Sequence, residues 1–244
     1  MMMVCDMKQF KYKIRDILIY FIYYSGFSWL RLWILRLTKK PLLRVIAYHE
    51  IKDSQRQSFQ KQLAFLQKKF NIISPDDFLN KRLSKKKINI LISFDDAHQT
   101  WLKNVLSVLK ERGLWAIFFT QGGAEGLAKE IFNNGFTLGG HTLSHKRLPA
   151  LSSEELKNEL KNNNLVFFAY PFGDKKSFSP VVIEQVKAAG YQYAFTILPG
   201  FNTRKTNKFL LHRDSVDPSW SEKFLKIWLS GAYDSKSFVA SLSF

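Results

Sequence analysis

An α/β fold of successive strand–helix units is what this sequence predicts, and three observations carry it. From about residue 41 onward, short β-branched and aromatic runs alternate with stretches of helical periodicity. The run Ile88-Asn89-Ile90-Leu91-Ile92-Ser93-Phe94 ends directly on Asp95-Asp96, the pattern of a buried strand that delivers polar groups to its C-terminal rim. Helix signals punctuate the alternation. Gly113 and Gly190 follow apolar helical runs, and Ser152-Ser153-Glu154-Glu155 supplies an N-cap with an acidic residue three positions on. A chain of 244 residues, 46% hydrophobic and 15% aromatic, suffices for one sizeable core. The expected organisation is an appendage over residues 1–40 and one domain over 41–244.

The appendage is basic and aromatic. Residues 1–44 hold nine Lys/Arg against Asp6 and Asp16, part of a formal net charge of +17. Only 14 uncharged residues separate Asp16 from Arg31, short of the roughly 20 that span a bilayer. Tyr20, Tyr23, Tyr24, Trp29 and Trp33 favour the water–lipid boundary, and the flanking cations suit anionic headgroups. We therefore expect an N-terminal amphipathic helical segment that meets an anionic membrane surface through residues 8–40. That makes the protein peripherally membrane-associated and leaves the face open; the alternative is a segment that packs on the domain. The tail Trp-Leu-Arg-Leu-Trp-Ile-Leu-Arg-Leu offers no signal-peptide cleavage site. The single cysteine, Cys5, excludes an intramolecular disulfide and leaves the compartment undecided.

Beyond the appendage, strands are expected over 43–48, 88–94, 116–120, 137–139, 165–170 and 193–197. Helices are expected over 58–69, 75–81, 100–112, 128–133, 152–161, 180–189 and 221–230. No internal repeat or low-complexity tract is present.

The chemistry gathers at two places. Adjacent residues at a strand end point to different sides, so one of Asp95 and Asp96 can hold a metal while the other stays free as a base. His141 and His145, four apart in His-Thr-Leu-Ser-His, can close on one ion, and one Asp with two His leaves coordination positions open for water and substrate. Such nitrogen and oxygen donors suit Zn, with Co or Ni also accommodated. Charge alone would suit nucleic acid, but no nucleic-acid motif accompanies it, and it leaves the Asp and His pairs unexplained. No nucleic-acid partner is expected, and the oligomeric state is open.

Four short blocks resemble the polysaccharide deacetylase (NodB-homology) family, carbohydrate esterase family four. They are Ser93-Phe94-Asp95-Asp96-Ala97, Ala116-Ile117-Phe118-Phe119-Thr120, Gly139-Gly140-His141-Thr142-Leu143-Ser144-His145 and Phe168-Ala169-Tyr170-Pro171-Phe172-Gly173-Asp174. Ala47-Tyr48-His49-Glu50 further resembles the branch that deacetylates poly-N-acetylglucosamine. The resemblance covers residues 44 to 217 and implies a distorted, incomplete (β/α) barrel with its reactive groups at the C-terminal ends of the strands.

It also implies a function: metal-dependent hydrolysis of the N-acetyl group of N-acetylhexosamine units in a polysaccharide or lipid-linked glycan. By position, Asp96, His141 and His145 would hold the metal and its water, and Asp95 would be the base. The backbone N–H of Phe172 would help hold the oxyanion. Two histidines compete as general acid. His49 matches the exopolysaccharide branch and is favoured over His212, because the late motif of that branch ends on arginine, here Arg213. Arg213 would pair with Asp95 and keep it ionised. His98 is assigned no role.

Two departures point to the alternative, a catalytically weakened glycan-binding or membrane-associated relative. Ala97 stands where the family has glycine, and the 161–165 stretch is shorter than the family pattern. If position 97 needs positive φ, the alanine strains the loop carrying a metal ligand.

Overall fold

The computed structural model describes residues 17, 20–161 and 164–234, so Cys5, most of the basic stretch before Tyr20, and Asn162 and Asn163 lie outside it. The chain divides into two units, one from Pro41 to Trp220, the other joining the chain up to Lys40 with that from Ser221 on. The segment after Trp220, expected to continue the second domain, thus groups with the N-terminal segment. The physical reason is visible: Arg31 on helix α1 (Phe27–Leu37) bonds the Asp234 carboxylate at 2.9 Å and the Gly231 carbonyl at 3.3 Å.

The larger unit is built on eight strands: β1 (Leu43–Tyr48), β2 (Asn71–Ile73), β3 (Asn89–Phe94), β4 (Ala116–Thr120), β5 (Thr137–Gly140), β6 (Phe167–Ala169), β7 (Tyr193–Phe195) and β8 (Asp214–Ser215). All pair in parallel, seven in the order β7-β6-β5-β4-β3-β1-β8 and β2 beside β3. β3 is the distorted centre. One edge pairs β1 along its length; on the other, Asn89–Leu91 pairs β2 while Ile92–Phe94 pairs β4. The chain between β7 and β8 adds isolated bridges, Leu211 with Phe195 of β7 and Asn202 with Leu43 of β1. The result is an incomplete, distorted (β/α) barrel.

Every residue of β1 and β3 is buried, as expected of parallel strands covered on both faces. Alternation sorts their side chains. Val45, Leu91, Ile117, Phe119, Phe167 and Phe195 pack together on one face. On the other, Tyr48, Phe94 and Phe118 meet Phe59 of α2 (Arg56–Lys69) and Trp101. Following Leu91 by steps of two gives Ser93 and then Asp95, so the first carboxylate of the pair continues the interior row.

The strong strand runs fold as read, and the differences are local. β2 and β8, of three and two residues, were not foreseen; each is too short to show a period. The expected helix over 100–112 is a π turn, Leu102–Leu106, followed by α4 (Ser107–Glu111). The wide turn accompanies two inward anchors: Trp101 Nε1 donates to the His49 carbonyl at 2.9 Å, and Asn104 Nδ2 donates to the Ile51 carbonyl at 2.8 Å. α5 (Glu125–Asn133) begins three residues earlier than expected, where Glu125 Oε1 accepts the Gly123 N–H. The strand expected over 165–170 narrows to Phe167–Ala169, and past its end the chain turns at Phe172, φ 61. α6 (Ser153–Glu159) carries the foreseen Ser152–Glu155 capping box but ends before Lys161. α3 (Pro75–Leu79) and α7 (Pro180–Ala188) keep their places. The last helix is α8 (Glu222–Ile227), followed by a π turn broken at Gly231, φ 91.

Candidate metal centre and acid–base site

The C-terminal rim gathers His49 after β1, Asp95 and Asp96 after β3, the His141–His145 loop after β5 and Phe172 after β6. Asp95 and Asp96 then part company. Asp95, on the interior row, is almost fully buried and forms a fork with Arg213: Nη1 to Oδ1 at 2.7 Å, Nη2 to Oδ2 at 2.8 Å. Arg213 is fully buried, its guanidinium lies over the Phe119 ring at 5.1 Å, and its Nε donates to the Thr196 carbonyl at 2.9 Å. Burial alone would raise the Asp95 pKa; the Arg213 charge, followed by that of His141, outweighs it and holds the carboxyl below its ordinary value.

Asp96 takes φ 79 and turns out of the row. Its Oδ1 lies 3.2 Å from His141 Nε2 and 3.3 Å from His145 Nε2. Burial opposes ionisation of Asp96, yet the His141 contact and the charges of His141, His49 and His145 pull its pKa down to about 2. Burial, reinforced by the His141 charge, lowers that of His145 and favours the neutral ring.

The three donors fit a metal. One atom from each of Asp96, His141 and His145 lies within 4.8 Å of the others. Asp96 Oδ1 is buried without a hydrogen-bond partner, an orphaned acceptor aimed where both imidazole Nε2 atoms converge. His141 Nδ1 sits 2.8 Å from the Ala169 carbonyl of β6, which has only acceptor character, so Nδ1 carries the proton and Nε2 presents its lone pair.

The remaining residues divide into those the site collects and those it does not. His49 is half exposed on the rim, its Nε2 3.9 Å from Asp96 Oδ2. His212 looks elsewhere: its ring nitrogen lies 3.2 Å from the Leu198 carbonyl, and it lines a separate cavity with Lys175, Phe178 and Thr203. Phe172 packs edge-on against His145, ring centroids 4.8 Å apart, with the Arg147 guanidinium 4.4 Å from its own centroid. Asp174 is occupied, accepting Arg147, the Lys176 N–H and the Ser177 hydroxyl. Ala97 has φ 51, so the condition for strain stated above is met. The shortened stretch over 161–165 lies partly outside the described residues.

One contact set escaped the sequence reading. Glu159, at the end of α6, accepts the N–H groups of Leu143 and Ser144 and the Ser144 hydroxyl. Its signal was present: Leu156 and Leu160 are buried one helical turn apart, and a glutamate three after Leu156 shares that face.

Residues 82–194 match the polysaccharide deacetylase family model, a span that includes Asp95, Asp96, both site histidines and Phe172 but neither His49 nor Arg213. The chain is 24% identical over 212 residues to the candidate polysaccharide deacetylase YxkH of Bacillus subtilis, covering 75% of each. Among solved structures it resembles the Streptococcus pyogenes deacetylase PplD in complex with acetate, at TM-score 0.65 and 18% identity over 78% of this chain and 99% of that one. It also resembles IcaB from Ammonifex degensii, at TM-score 0.60 and 21% identity over 80% of this chain and 97% of that one. These structural likenesses establish the shared fold.

Proposed function

We propose that the chain, whose residues 82–194 match the polysaccharide deacetylase family model, is a metal-dependent hydrolase that removes acetyl groups from N-acetylhexosamine units of a glycan. One observation carries the reading: two adjacent carboxylates divided between two environments, Asp96 facing both histidines and Asp95 locked to Arg213. Asp96, His141 and His145 would hold the ion. A divalent metal bound there supplies Lewis acidity that polarises the acyl carbonyl and makes water a better nucleophile near neutral pH.

The chain's own groups supply the rest. Asp95, kept ionised by Arg213, accepts a proton from the attacking water as its oxygen bonds the acyl carbon and the carbonyl pair moves onto the acyl oxygen; the amide C–N bond breaks when that pair returns. The Phe172 N–H donates to the oxyanion that develops on the acyl oxygen. His49 gives a proton to the departing nitrogen, so that amide and water become free amine and acetate. The half-exposed His49 ring near Asp96 supports it for this part, whereas the His212 ring nitrogen lies 3.2 Å from the Leu198 carbonyl.

The exposed aromatic face of α1, with Trp29 68% and Trp33 49% exposed, supports placement of the protein at an anionic membrane surface. Among the described residues no helix is long and apolar enough to cross a membrane.

The test is amine release from N-acetylglucosamine oligomers by zinc-loaded protein, with O-acetylated oligomers as control. Release of amine supports the reading; hydrolysis of the ester alone sinks it. One observation favours the weakened-relative reading: Asp96 and Ala97 are consecutive non-glycine residues at positive φ, beside the metal donors.

A further inference from the structure

Glu159 is a buried carboxylate outside the donor set, and its bonds go to the chain between the two histidines. It accepts the N–H of Leu143 at 3.0 Å, the N–H of Ser144 at 2.8 Å, and the Ser144 hydroxyl. That chain needs holding. Thr142 and His145 are both left-handed, φ 67 and 54, conformations unfavourable to a residue with a side chain that persist only where the surroundings impose them. Two other bonds act on the loop: Thr142 Oγ1 accepts the His145 N–H at 3.0 Å, and the Thr142 carbonyl accepts the Gly122 N–H at 3.2 Å. Neither reaches residues 143 and 144.

The anchor behind Glu159 is firm. α6 is capped by Ser152 and Glu155, and Leu156 and Leu160 pack into one cluster with Phe168 and Tyr170 of the β6 segment. Ala169, between those two aromatics, supplies the carbonyl that orients His141. The two histidines are thus set from one body: His141 through the Ala169 carbonyl, and the turn leading to His145 through Glu159.

We propose that Glu159 is a positioning residue whose carboxylate sets the spacing of the His141 and His145 imidazoles and so the affinity of the site for its metal, a role that rests on the metal-site reading above. Glu159 touches neither metal donors nor substrate; it acts through the loop backbone. A carboxylate is suited to the task because one group accepts from two successive amides and a hydroxyl.

The test is zinc affinity, measured by competition with a chromophoric chelator, on full-length wild-type protein, Glu159→Ala, Glu159→Gln and Ser144→Ala, with thermal unfolding of each metal-free protein alongside. Glu159→Ala is expected to bind zinc about 10- to 100-fold more weakly, the scale on which outer partners of metal ligands act. Glu159→Gln, which keeps a carbonyl oxygen, should fall between it and wild type, and Ser144→Ala should lose least. Turnover lost at limiting zinc should return with excess zinc, while KM for the oligomer stays unchanged. A folded Glu159→Ala protein with wild-type zinc affinity overturns the proposal. If that variant does not fold, wild-type affinity in Glu159→Gln overturns it instead. Failure of the wild-type protein itself to bind zinc would overturn the metal reading, and this proposal with it.

Discussion

Asp95 and Asp96 share a chemistry and a sequence position, and everything that distinguishes them is environment. Folding lowers the Asp95 pKa, so the Arg213 pair stabilises the fold at all pH above the ordinary carboxylate value of about 3.9, and that contribution is lost as pH falls through the depressed value. Arg213→Lys keeps a cation but loses the fork, so burial weighs more and the Asp95 pKa should rise. The acid limb of the kcat/KM profile is then expected to move to higher pH, and the thermal midpoint to fall; an unmoved limb would detach Asp95 from proton transfer. At Ala97, φ 51, glycine should relieve about 1 kcal/mol of backbone strain, worth about 2–4 °C in thermal midpoint at this chain length. A rise in turnover with it would favour the weakened-relative reading; unchanged turnover would show that the strain is harmless. That the Asp pair and the two histidines gather was legible because residue type and spacing suggest a ligand set, while the choice of Asp96 over Asp95 came from the family resemblance. The Ala169 carbonyl was not, since a backbone oxygen has no sequence signature; the spacing of Glu159 from Leu156 marked its face, but its partners are set by tertiary packing.

At the level of elements, the sequence was readable in proportion to length. Strands of five or six residues such as β1, β3 and β4 show their apolar runs plainly, whereas β2 and β8 are defined by pairing with neighbours rather than by any period of their own. The π turn at Leu102–Leu106 was equally hidden, because Trp101 and Asn104 choose their partners, His49 and Ile51, about 50 residues back. β5 shows how closely an element can position the site. It ends in Gly139-Gly140 directly before His141, and a Cβ on Gly140 would lie 2.2 Å from the Tyr191 hydroxyl. Gly140→Ala must therefore displace Tyr191 or bend the strand, and a cost of about 1–3 kcal/mol is expected. Thermal unfolding checks this, and an unchanged midpoint would mean that the strand yields freely.

On the scale of the molecule, the succession of strand–helix units follows from the sequence alternation and the barrel from the family resemblance, while the grouping of the chain beyond Trp220 with the N-terminal segment follows from neither. That grouping depends on contacts such as Arg31 with Asp234, some 200 residues apart, which no local pattern announces. It also shapes the membrane test. Deleting the segment would remove Arg31, a partner of Asp234, so exposed Trp29 and Trp33 are the better targets. Trp29→Ser with Trp33→Ser should weaken binding to anionic phosphatidylglycerol vesicles about tenfold or more, since each ring gives up apolar burial, and should leave hydrolysis of soluble oligomers intact. Vesicle binding equal to wild type would remove the membrane assignment. The central claim, hydrolysis dependent on a metal at Asp96, His141 and His145, is tested most directly by titrating zinc into metal-stripped protein while following acetate release from N-acetylglucosamine oligomers. The account predicts activity that rises with zinc and saturates at one ion per chain, with no rise in Asp96→Asn. Full acetate release from the stripped protein, or an undiminished zinc response in Asp96→Asn, would contradict it.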